Sequence, residues 1–265
     1  MAGPQNSDEL LIAVFIDFEN LAIGVRQMKA GQFQIQVVLK RLLEKGRLVY
    51  KRAYCDWSNY RESVSEFHAQ GIELIDIPQS RISGKNSADI RMVVDALDLC
   101  YSKSHIDAFA LISGDSDFSP LVSKLKENNR RVIGCGVKSS TSDLLIANCD
   151  EFIYYDDLIR SAKQAKQARR PPSKDTKPDD PQREATDRVM EVLLSIEQDY
   201  DPLWGSTLKQ AIRRVYPGFS EGYYGYSSFS DLLEDLEDAG LVVLDYDESR
   251  GNFKIRRAKG TKGKA

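Results

Sequence analysis

The chain of 265 residues contains only two histidines, and this scarcity limits the catalytic chemistry open to it. His68 and His105 have no histidine or cysteine close by in the sequence with which they would form a zinc site. The same isolation argues against Ser–His–Asp and Cys–His mechanisms, which need a histidine beside the nucleophile. Acidic residues are therefore the better candidates for catalysis.

The sequence also lacks the features of a secreted or membrane protein. Its four cysteines are widely separated, form no Cys-X-X-Cys pair, and are predicted to be free thiols of a reducing cytosol. No window approaches the roughly 18 consecutive apolar residues that span a bilayer. The apolar segment near the start has no basic region before it and no cleavage site after it, so it predicts a buried strand. We expect a cytoplasmic protein without membrane contact.

Strong charge of either sign is absent as well. The formal net charge is −3 at pH 7, which argues against a protein that binds nucleic acid over its whole surface. Residues 163–183 and the tail KIRRAKGTKGKA are locally basic, whereas residues 231–247 are acidic. Contact with nucleic acid is therefore expected to be local.

One segment, residues 161–185, has no apolar periodicity and contains four prolines. Such a segment buries too little apolar surface to offset the cost of ordering it, and it predicts a flexible linker. Its first part, SAKQAKQARR, is also compatible with the extension of a preceding helix. The linker divides the chain into a first domain, residues 1–160, and a second domain, residues 186–258. A basic tail, residues 259–265, follows.

Apolar runs alternate with helical patterns throughout the first domain. LLIAVFIDF, IDAFALISG and RVIGCGV are typical of buried strands, and SADIRMVVDALDLCYS is typical of a long helix. This order predicts an α/β fold in which a parallel sheet carries helices on both faces. In such folds the reactive crevice lies beyond the carboxyl ends of the strands.

Acidic side chains follow two of the predicted strands. Asp17 comes after the first strand, and Asp115 and Asp117 come after the fourth. Asp89 lies at the start of the helix after the third strand. We expect these residues to converge at one sheet edge, where crowded carboxylates bind a cation between them. Their oxygens are hard ligands suited to Mg²⁺ or Mn²⁺, and Asn20 would be a neutral partner in this site.

Further polar residues near these strand ends are candidates for contact with the substrate. Ser113 and Ser116 are placed to hold substrate or bound water, and Lys85 is placed to meet a phosphate. Trp57 and Arg61 follow the second strand, where an aromatic side chain beside a basic one would stack single-stranded bases. Packing in the core is an equally good interpretation of Trp57.

Several acidic residues also have a simpler interpretation. Asp17 could cap the next helix, and Asp89 could be an acid that the helix dipole favours at an N-terminus. For Glu19, an outer-shell ligand and a solvated surface residue are equally good interpretations. Asp95 is predicted to lie on the surface, and Asp143 is predicted to begin a helix.

The second domain shows three helical patterns followed by an alternating hairpin, LVVLDYDESRGNFKIRR. This order predicts a winged helix, a fold that recognises nucleic acids or proteins. A basic helix and the loop GYYGY form its predicted contact surface. The surface comprises Lys209, Arg213, Arg214, Tyr223, Tyr224 and Tyr226. A solvated helix face and a loop that packs its own tyrosines are the alternatives.

Both domains resemble known families. VFIDFENLAIG, GKNSADIRMVVDAL and ALISGDSDFSPLVSKLKENNRRVIGCG together resemble the NYN domain of the LabA-like type, within the PIN-like nuclease superfamily. That resemblance implies a metal-dependent endoribonuclease. It also implies acidic roles for the four aspartates above and a polar role for Asn20. STLKQAIRRVYPGFSEGYYGYSSFSDLLEDLEDAGLV resembles the OST-HTH or LOTUS domain, which implies RNA binding or, in some relatives, docking of a partner helicase.

The leading hypothesis is a cytoplasmic endoribonuclease that is tethered to a module for single-stranded or structured RNA. One alternative is a regulatory protein that binds RNA or another protein without catalysis. A second alternative is a phosphatase of the haloacid dehalogenase kind. Glu19 stands where that class has an aspartate, and the spacing of its later motifs is absent. The sequence leaves self-association open.

Overall fold

The computed structural model of the protein describes residues 9–28, 32–78, 86–168 and 181–258. The chain falls into two units that divide near residue 170. Lys85 and the tail 259–265, both singled out in the sequence, lie outside the described residues. Across the described residues, no helix combines the length and the apolar composition needed to cross a membrane. The four cysteines are free thiols, as predicted.

A six-stranded parallel sheet forms the centre of the first unit, with the strand order β3-β2-β1-β4-β5-β6. Its strands are β1 (Leu11–Asp17), β2 (Arg47–Cys55), β3 (Glu73–Asp76), β4 (Ala108–Ile112), β5 (Arg131–Gly136) and β6 (Glu151–Tyr154). The strands β1 and β4 pair directly at the centre although they are far apart in the chain. The order of the strands reverses at this pair, which is where parallel sheets form their crevices.

Helices cover both faces of this sheet, which confirms the predicted α/β class. They are α1 (Phe18–Gln27), α2 (Ile35–Lys45), α3 (Arg61–Ala69), α4 (Ser87–Ser102), α5 (Ser119–Glu127), α6 (Asp143–Asn148) and α7 (Tyr155–Ala168). Successive residues of a strand point to opposite faces. Ile12 and Val14 therefore pack into a core with α1, α2, α3 and α7. Ala13 and Phe15 pack into a second core with α4, α5 and α6.

The second unit is a small helical domain with a three-stranded antiparallel sheet, in the order β7-β9-β8. Its elements are α8 (Pro181–Ile196), β7 (Leu203–Trp204), α9 (Gly205–Val215), α10 (Phe229–Asp238), β8 (Val242–Asp247) and β9 (Asn252–Arg257). The three helices and the hairpin agree with the predicted winged helix. The two-residue strand β7 was not predicted. It pairs with β9 and joins the helices to the hairpin.

Helices occupy both ends of the predicted linker, residues 161–185. At its start α7 continues to Ala168, and at its end α8 already begins at Pro181. Proline is favoured in the first turn of a helix because its missing N–H is not needed there, so Pro181 opens α8 without disrupting it.

Candidate active site

Asp17 is the last residue of β1 and lies directly before α1. Its side chain is 7% exposed. One carboxylate oxygen accepts a hydrogen bond from the backbone N–H of Asn20 at 3.3 Å, which caps α1. The other oxygen accepts a hydrogen bond from the Ser113 hydroxyl at 2.8 Å. The helix-capping alternative therefore holds for Asp17, and the same carboxylate is also joined to the end of β4.

Asn20 connects the first turn of α1 to the loop after β4. The backbone N–H of Gly114 donates a hydrogen bond to its side-chain oxygen at 2.9 Å. Gly114 itself has little room, because a Cβ atom there would lie 2.5 Å from the carbonyl oxygen of Ser140. Glycine is therefore needed where the loop after β4 passes the loop after β5 that contains Ser140.

The loop after β4 holds its acidic residues through a short series of hydrogen bonds. Ser113 is fully buried, and its hydroxyl accepts a hydrogen bond from the backbone N–H of Asp115 at 3.1 Å while it donates to Asp17. The carboxylate of Asp115 in turn accepts from the backbone N–H of Asp117 at 2.9 Å. Ser113 therefore positions Asp17 and Asp115 from within the protein.

The pKa of Asp17 rises from 3.8 to about 7. Burial is the largest cause, because removing the carboxylate from water disfavours its charged form. The hydrogen bond from Ser113 opposes this rise, whereas the negative charges of Asp89 and Asp115 add to it. Asp17 is therefore within the electrostatic reach of both predicted neighbours.

Asp89 lies in the first turn of α4 and is half-buried. Burial raises its pKa, and the charges of Asp115, Asp117 and Glu19 raise it further. These mutual effects place the four predicted aspartates in one acidic cluster, which we call the acidic site: Asp17, Asp89, Asp115 and Asp117. Glu19, which the sequence left open, acts electrostatically on the same site.

The acidic site contains hard oxygen donors but no complete set of metal ligands. In the described part of the chain, no group of three or more His, Cys, Asp or Glu side chains is arranged to hold a metal ion. Mg²⁺ usually binds through one or two carboxylates and keeps several waters, so fewer protein ligands suffice for it. Burial is the main cause of the raised pKa values of Asp17 and Asp89, and a cation would relieve the repulsion between carboxylates that adds to it. The donor chemistry thus fits Mg²⁺ or Mn²⁺.

An open depression of about 480 Å³ adjoins the acidic site at Asp117. It is lined by Ser116, Asp117, Ser119, Pro120, Ser123 and Leu144. The Ser119 hydroxyl is buried and has no hydrogen-bond partner among the described residues. Ser116, which the sequence predicted to hold substrate or bound water, lies on an open surface beside the carboxylate of Asp117.

Trp57 belongs to the core, which favours the packing alternative over base stacking. Its side chain is 6% exposed, and its indole N–H donates to the carbonyl of Ile75 at 3.2 Å. Its ring lies 5.1 Å from the ring of Phe18 and 5.6 Å from that of Phe67. A base cannot stack on a ring that is enclosed in this way. Arg61, the first residue of α3, is exposed.

The predicted basic face of the second domain is partly neutralised. The Lys209 ammonium lies 2.8 Å from the Glu221 carboxylate, and the Arg213 guanidinium lies 3.6 Å from it. Sequence reasoning did not anticipate Glu221, because the chain turns back toward α9 through a short irregular segment that has no helix or strand period. Arg214 is half-buried on the same helix.

The three predicted tyrosines have different environments. Tyr223 is 72% exposed, whereas Tyr224 is 3% exposed and lies 5.1 Å from the ring of Phe219. Tyr226 is 9% exposed, and its hydroxyl donates to Asp235 at 2.7 Å. Tyr224 and Tyr226 therefore pack within the domain, as the alternative interpretation held, and Tyr223 alone of the three is open to a ligand.

Sequence reasoning was wrong about Asp95, which was predicted to lie on the surface. Its side chain is 11% exposed and accepts hydrogen bonds from Arg52 at 3.0 Å, from the Tyr54 hydroxyl at 2.9 Å and from Arg91 at 2.9 Å. Arg52 and Tyr54 are two residues apart on β2 and so share a face of the strand. The placement of Arg52 and Tyr54 on one face of β2 was the available sequence signal that an acidic side chain packs against that face.

Comparisons with known proteins identify both domains. The family model of the NYN domain matches residues 11–157, and that of the OST-HTH/LOTUS domain matches residues 181–247. An uncharacterized protein of Methanocaldococcus jannaschii is 28% identical over 134 residues, which are 51% of this chain and 50% of that protein. The chain thus spans about half the length of the curated relative it matches.

A crystal structure of a protein of unknown function from Vibrio parahaemolyticus has a similar fold. It matches with a TM-score of 0.51 and 25% sequence identity. The match covers 58% of this chain and 98% of that one. The shared part is thus close to the whole of the Vibrio protein.

Proposed function

We propose that this chain, which belongs to the NYN domain family of PIN-like nucleases, is a metal-dependent endoribonuclease that hydrolyses RNA phosphodiester bonds. The single observation that carries the proposal is the convergence of aspartates from the end of β1, the loop after β4 and the start of α4, with Asp17 and Asp115 joined through Ser113. Such a costly concentration of negative charge is typical of a site that binds a cation for catalysis.

Asp17, Asp89, Asp115 and Asp117 would hold Mg²⁺ or Mn²⁺. When bound, the cation supplies an activated water and neutralises negative charge on the phosphate that is attacked. The protein's own contribution is positioning. Ser113 orients Asp17 and Asp115, so we assign it this role in place of the direct substrate contact expected from the sequence. Asn20 fixes the neighbouring loop through Gly114.

The RNA would approach the acidic site across the depression lined by Ser116, with Arg61 and Lys85 as candidate phosphate contacts. Trp57 is not part of this surface because it is buried. We propose that the OST-HTH/LOTUS domain holds a second part of the same RNA, using Tyr223 and the basic residues of α9. OST-HTH domains bind RNA, and a tether through residues 161–185 would raise the effective concentration of substrate at the acidic site. Docking of a partner protein on this domain and a cytoplasmic location complete the proposal.

The test is a cleavage assay with the purified full chain and end-labelled single-stranded and hairpin RNAs. Mg²⁺, Mn²⁺ and EDTA are compared, and Asp115→Asn is assayed beside the wild type. We expect cleavage only with metal. Because a metal site contributes several kcal/mol to the transition state, we expect Asp115→Asn to lose about a thousandfold in rate.

A matched control is Glu127→Gln, which removes an acidic residue from the exposed surface of α5. Glu127 forms an ion pair with Lys124 at 2.7 Å, and such exposed pairs contribute little. This variant should cleave at the wild-type rate. RNA that is bound but not cleaved with either metal would overturn the proposal and favour the non-catalytic regulator. Equal cleavage by Asp115→Asn would mean that the measured cleavage does not come from the acidic site, which would also overturn the proposal.

A further inference from the structure

The helix α4 presents a stripe of large apolar side chains to solvent. Ile90 is 63% exposed, Val94 is 55% exposed and Tyr101 is 62% exposed. Leu97 lies between them and is half-buried. The four residues are spaced by four, three and four positions, so they share one face of the helix. We call this face the α4 stripe: Ile90, Val94, Leu97 and Tyr101.

Leu97 packs against the core at the edge of the α4 stripe, whereas Ile90, Val94 and Tyr101 of the stripe are exposed. The core face of α4 consists of Met92, Ala96, Leu99 and Cys100, which are buried against the sheet. The helix is therefore apolar on two opposite sides, whereas a helix on the surface of a monomer needs only one apolar side. Exposed apolar side chains that lie together on one face mark an interaction surface.

Two charged residues flank the α4 stripe on one side. Arg91 and Asp98 are seven positions apart, which is close to two helical turns, so they lie on the same flank of the stripe. Arg91 is 55% exposed and forms an ion pair with Asp95 at 2.9 Å. Asp98 is exposed. The N-terminal half of this flank is thus positive and the C-terminal half is negative.

We propose that a second copy of this chain docks on the α4 stripe, with the two α4 helices antiparallel about a twofold axis. One alignment of the two helices gives each residue of the α4 stripe an apolar partner in the second copy. Ile90 then meets Tyr101 of the second copy, and Val94 meets its Leu97. Arg91 meets its Asp98, because a twofold axis between antiparallel helices brings the same flank of both together. The stripe spans about 16 Å, at 1.5 Å per residue.

The charge pattern selects this arrangement over the alternatives. If the two helices were parallel about a twofold axis, the flanks that carry Arg91 and Asp98 would lie on opposite sides of the contact and would not meet. Phosphate of RNA is also a poor occupant, since the face is apolar and the acidic site begins at Asp89 on the same helix. A second copy supplies both the apolar surface and the opposite charges. This interface does not depend on the proposed nuclease activity.

Sedimentation velocity of the full chain tests the interface, at concentrations from about 1 μM to about 100 μM, where contacts of modest affinity saturate. We expect a reversible monomer–dimer equilibrium. Val94→Asp should raise the dimer dissociation constant by about 30-fold or more, as the loss of a central apolar contact does. Ile23→Asp is the matched control, since Ile23 is 46% exposed on α1, outside the α4 stripe. It should leave the equilibrium unchanged.

Charge reversal tests the antiparallel pairing specifically. Asp98→Arg alone brings two arginine side chains together across the axis, and Arg91→Glu alone brings two carboxylates together, so each variant should be monomeric. An equimolar mixture of the two variants pairs the new arginine of one chain with the new glutamate of the other, and we expect it to form a heterodimer. Circular dichroism confirms that each variant is folded.

Two outcomes would count against this interface. A wild type that stays monomeric at about 100 μM would overturn the proposal and assign the stripe to another partner. A mixture of the two charge-reversal variants that stays monomeric would overturn the antiparallel register.

Discussion

Asp17 carries a free-energy cost that a purely structural residue would not need to carry. It is buried, and its pKa is raised from 3.8 to about 7, chiefly by that burial. The folded protein therefore binds a proton at Asp17 more tightly than the unfolded chain does. The stability that follows from this group is complete below pH 3.8 and is lost as the pH rises through 7.

Asp17→Asn should therefore stabilise the protein in EDTA at pH 8, where the wild type must bury a charged carboxylate. A pKa difference of about three units corresponds to about 4 kcal/mol, and the amide recovers part of this, so we expect a gain on the order of 2 kcal/mol. At pH 5 the wild-type carboxyl group is protonated and the gain should largely disappear. Urea unfolding of both proteins at both pH values measures the difference. The same difference at pH 5 and pH 8 would contradict the raised pKa.

Tyr223 and Tyr224 are neighbours with opposite expected roles. Tyr223→Ala should weaken RNA binding by the full chain about tenfold, because stacking of one base contributes about 1–3 kcal/mol. It should change the melting temperature little, because it loses only the edge contact with the Tyr224 ring, at 5.0 Å between centroids. Tyr224→Ala should instead destabilise the second domain, because it removes a ring that packs against Phe219.

Fluorescence anisotropy with labelled RNA in EDTA and thermal melting measure the two effects of these tyrosine variants. The control is Tyr246→Ala, since Tyr246 is 54% exposed on β8 and outside the predicted surface. Unchanged RNA affinity in Tyr223→Ala would remove this residue from the interface.

The sequence predicted that Asp17 and Asp115 lie near each other, as their shared contact with Ser113 shows, but not which aromatic side chains are exposed. Asp17 and Asp115 follow apolar strands, and the topology of parallel sheets then brings them together. Trp57, Tyr224 and Tyr226 occur in irregular segments without a helix or strand period. No pattern in such a segment tells which side faces the core, so burial there depends on tertiary contacts that one sequence does not reveal.

At the level of elements, the packing of the loop after β4 against the loop after β5 depends on Gly114. A Cβ atom at this position would lie 2.5 Å from the Ser140 carbonyl oxygen, and backbone atoms cannot move aside as a flexible side chain can. Gly114→Ala should therefore destabilise the first domain by about 1–3 kcal/mol. It should also reduce RNA cleavage, because it displaces the loop that carries Asp115.

The control for Gly114→Ala is Gly218→Ala, since a Cβ atom at Gly218 would meet nothing within 4 Å. Chemical denaturation and the cleavage assay on both variants measure the two effects. Wild-type stability and rate in Gly114→Ala would show that the loop has more freedom than the contact distances imply.

Most elements of the fold were predictable because their apolar periods are long. The fully buried runs of β1 and β4 and the amphipathic helices of both domains are examples. The strand β7 was not predicted, because a strand of two residues is too short to show an alternating apolar pattern. The extension of α7 to Ala168 was left open by the sequence, and the start of α8 at Pro181 was not predicted, because charged sequence without an apolar stripe is compatible with both helix and linker.

For the whole molecule, the strand order explains how the acidic site forms. The reversal of order between β1 and β4 creates the crevice, and α4 enters it at Asp89 after β3. The sequence predicted a parallel sheet but not this order, since strand adjacency depends on contacts between distant residues. The α4 stripe was also not predictable, because the apolar residues of α4 on its two faces differ only in what the fold places against them.

The most direct measurement is the single-turnover rate of cleavage of one RNA at saturating Mg²⁺. The wild type is compared with four variants that keep the side-chain volume and remove one charge each: Asp17→Asn, Asp89→Asn, Asp115→Asn and Asp117→Asn. Glu127→Gln again serves as the control. We expect all four variants to lose rate by about 100-fold or more while the control does not, since each variant removes a group that would hold the cation. Wild-type rates in Asp17→Asn and Asp115→Asn would contradict the assignment of catalysis to the acidic site.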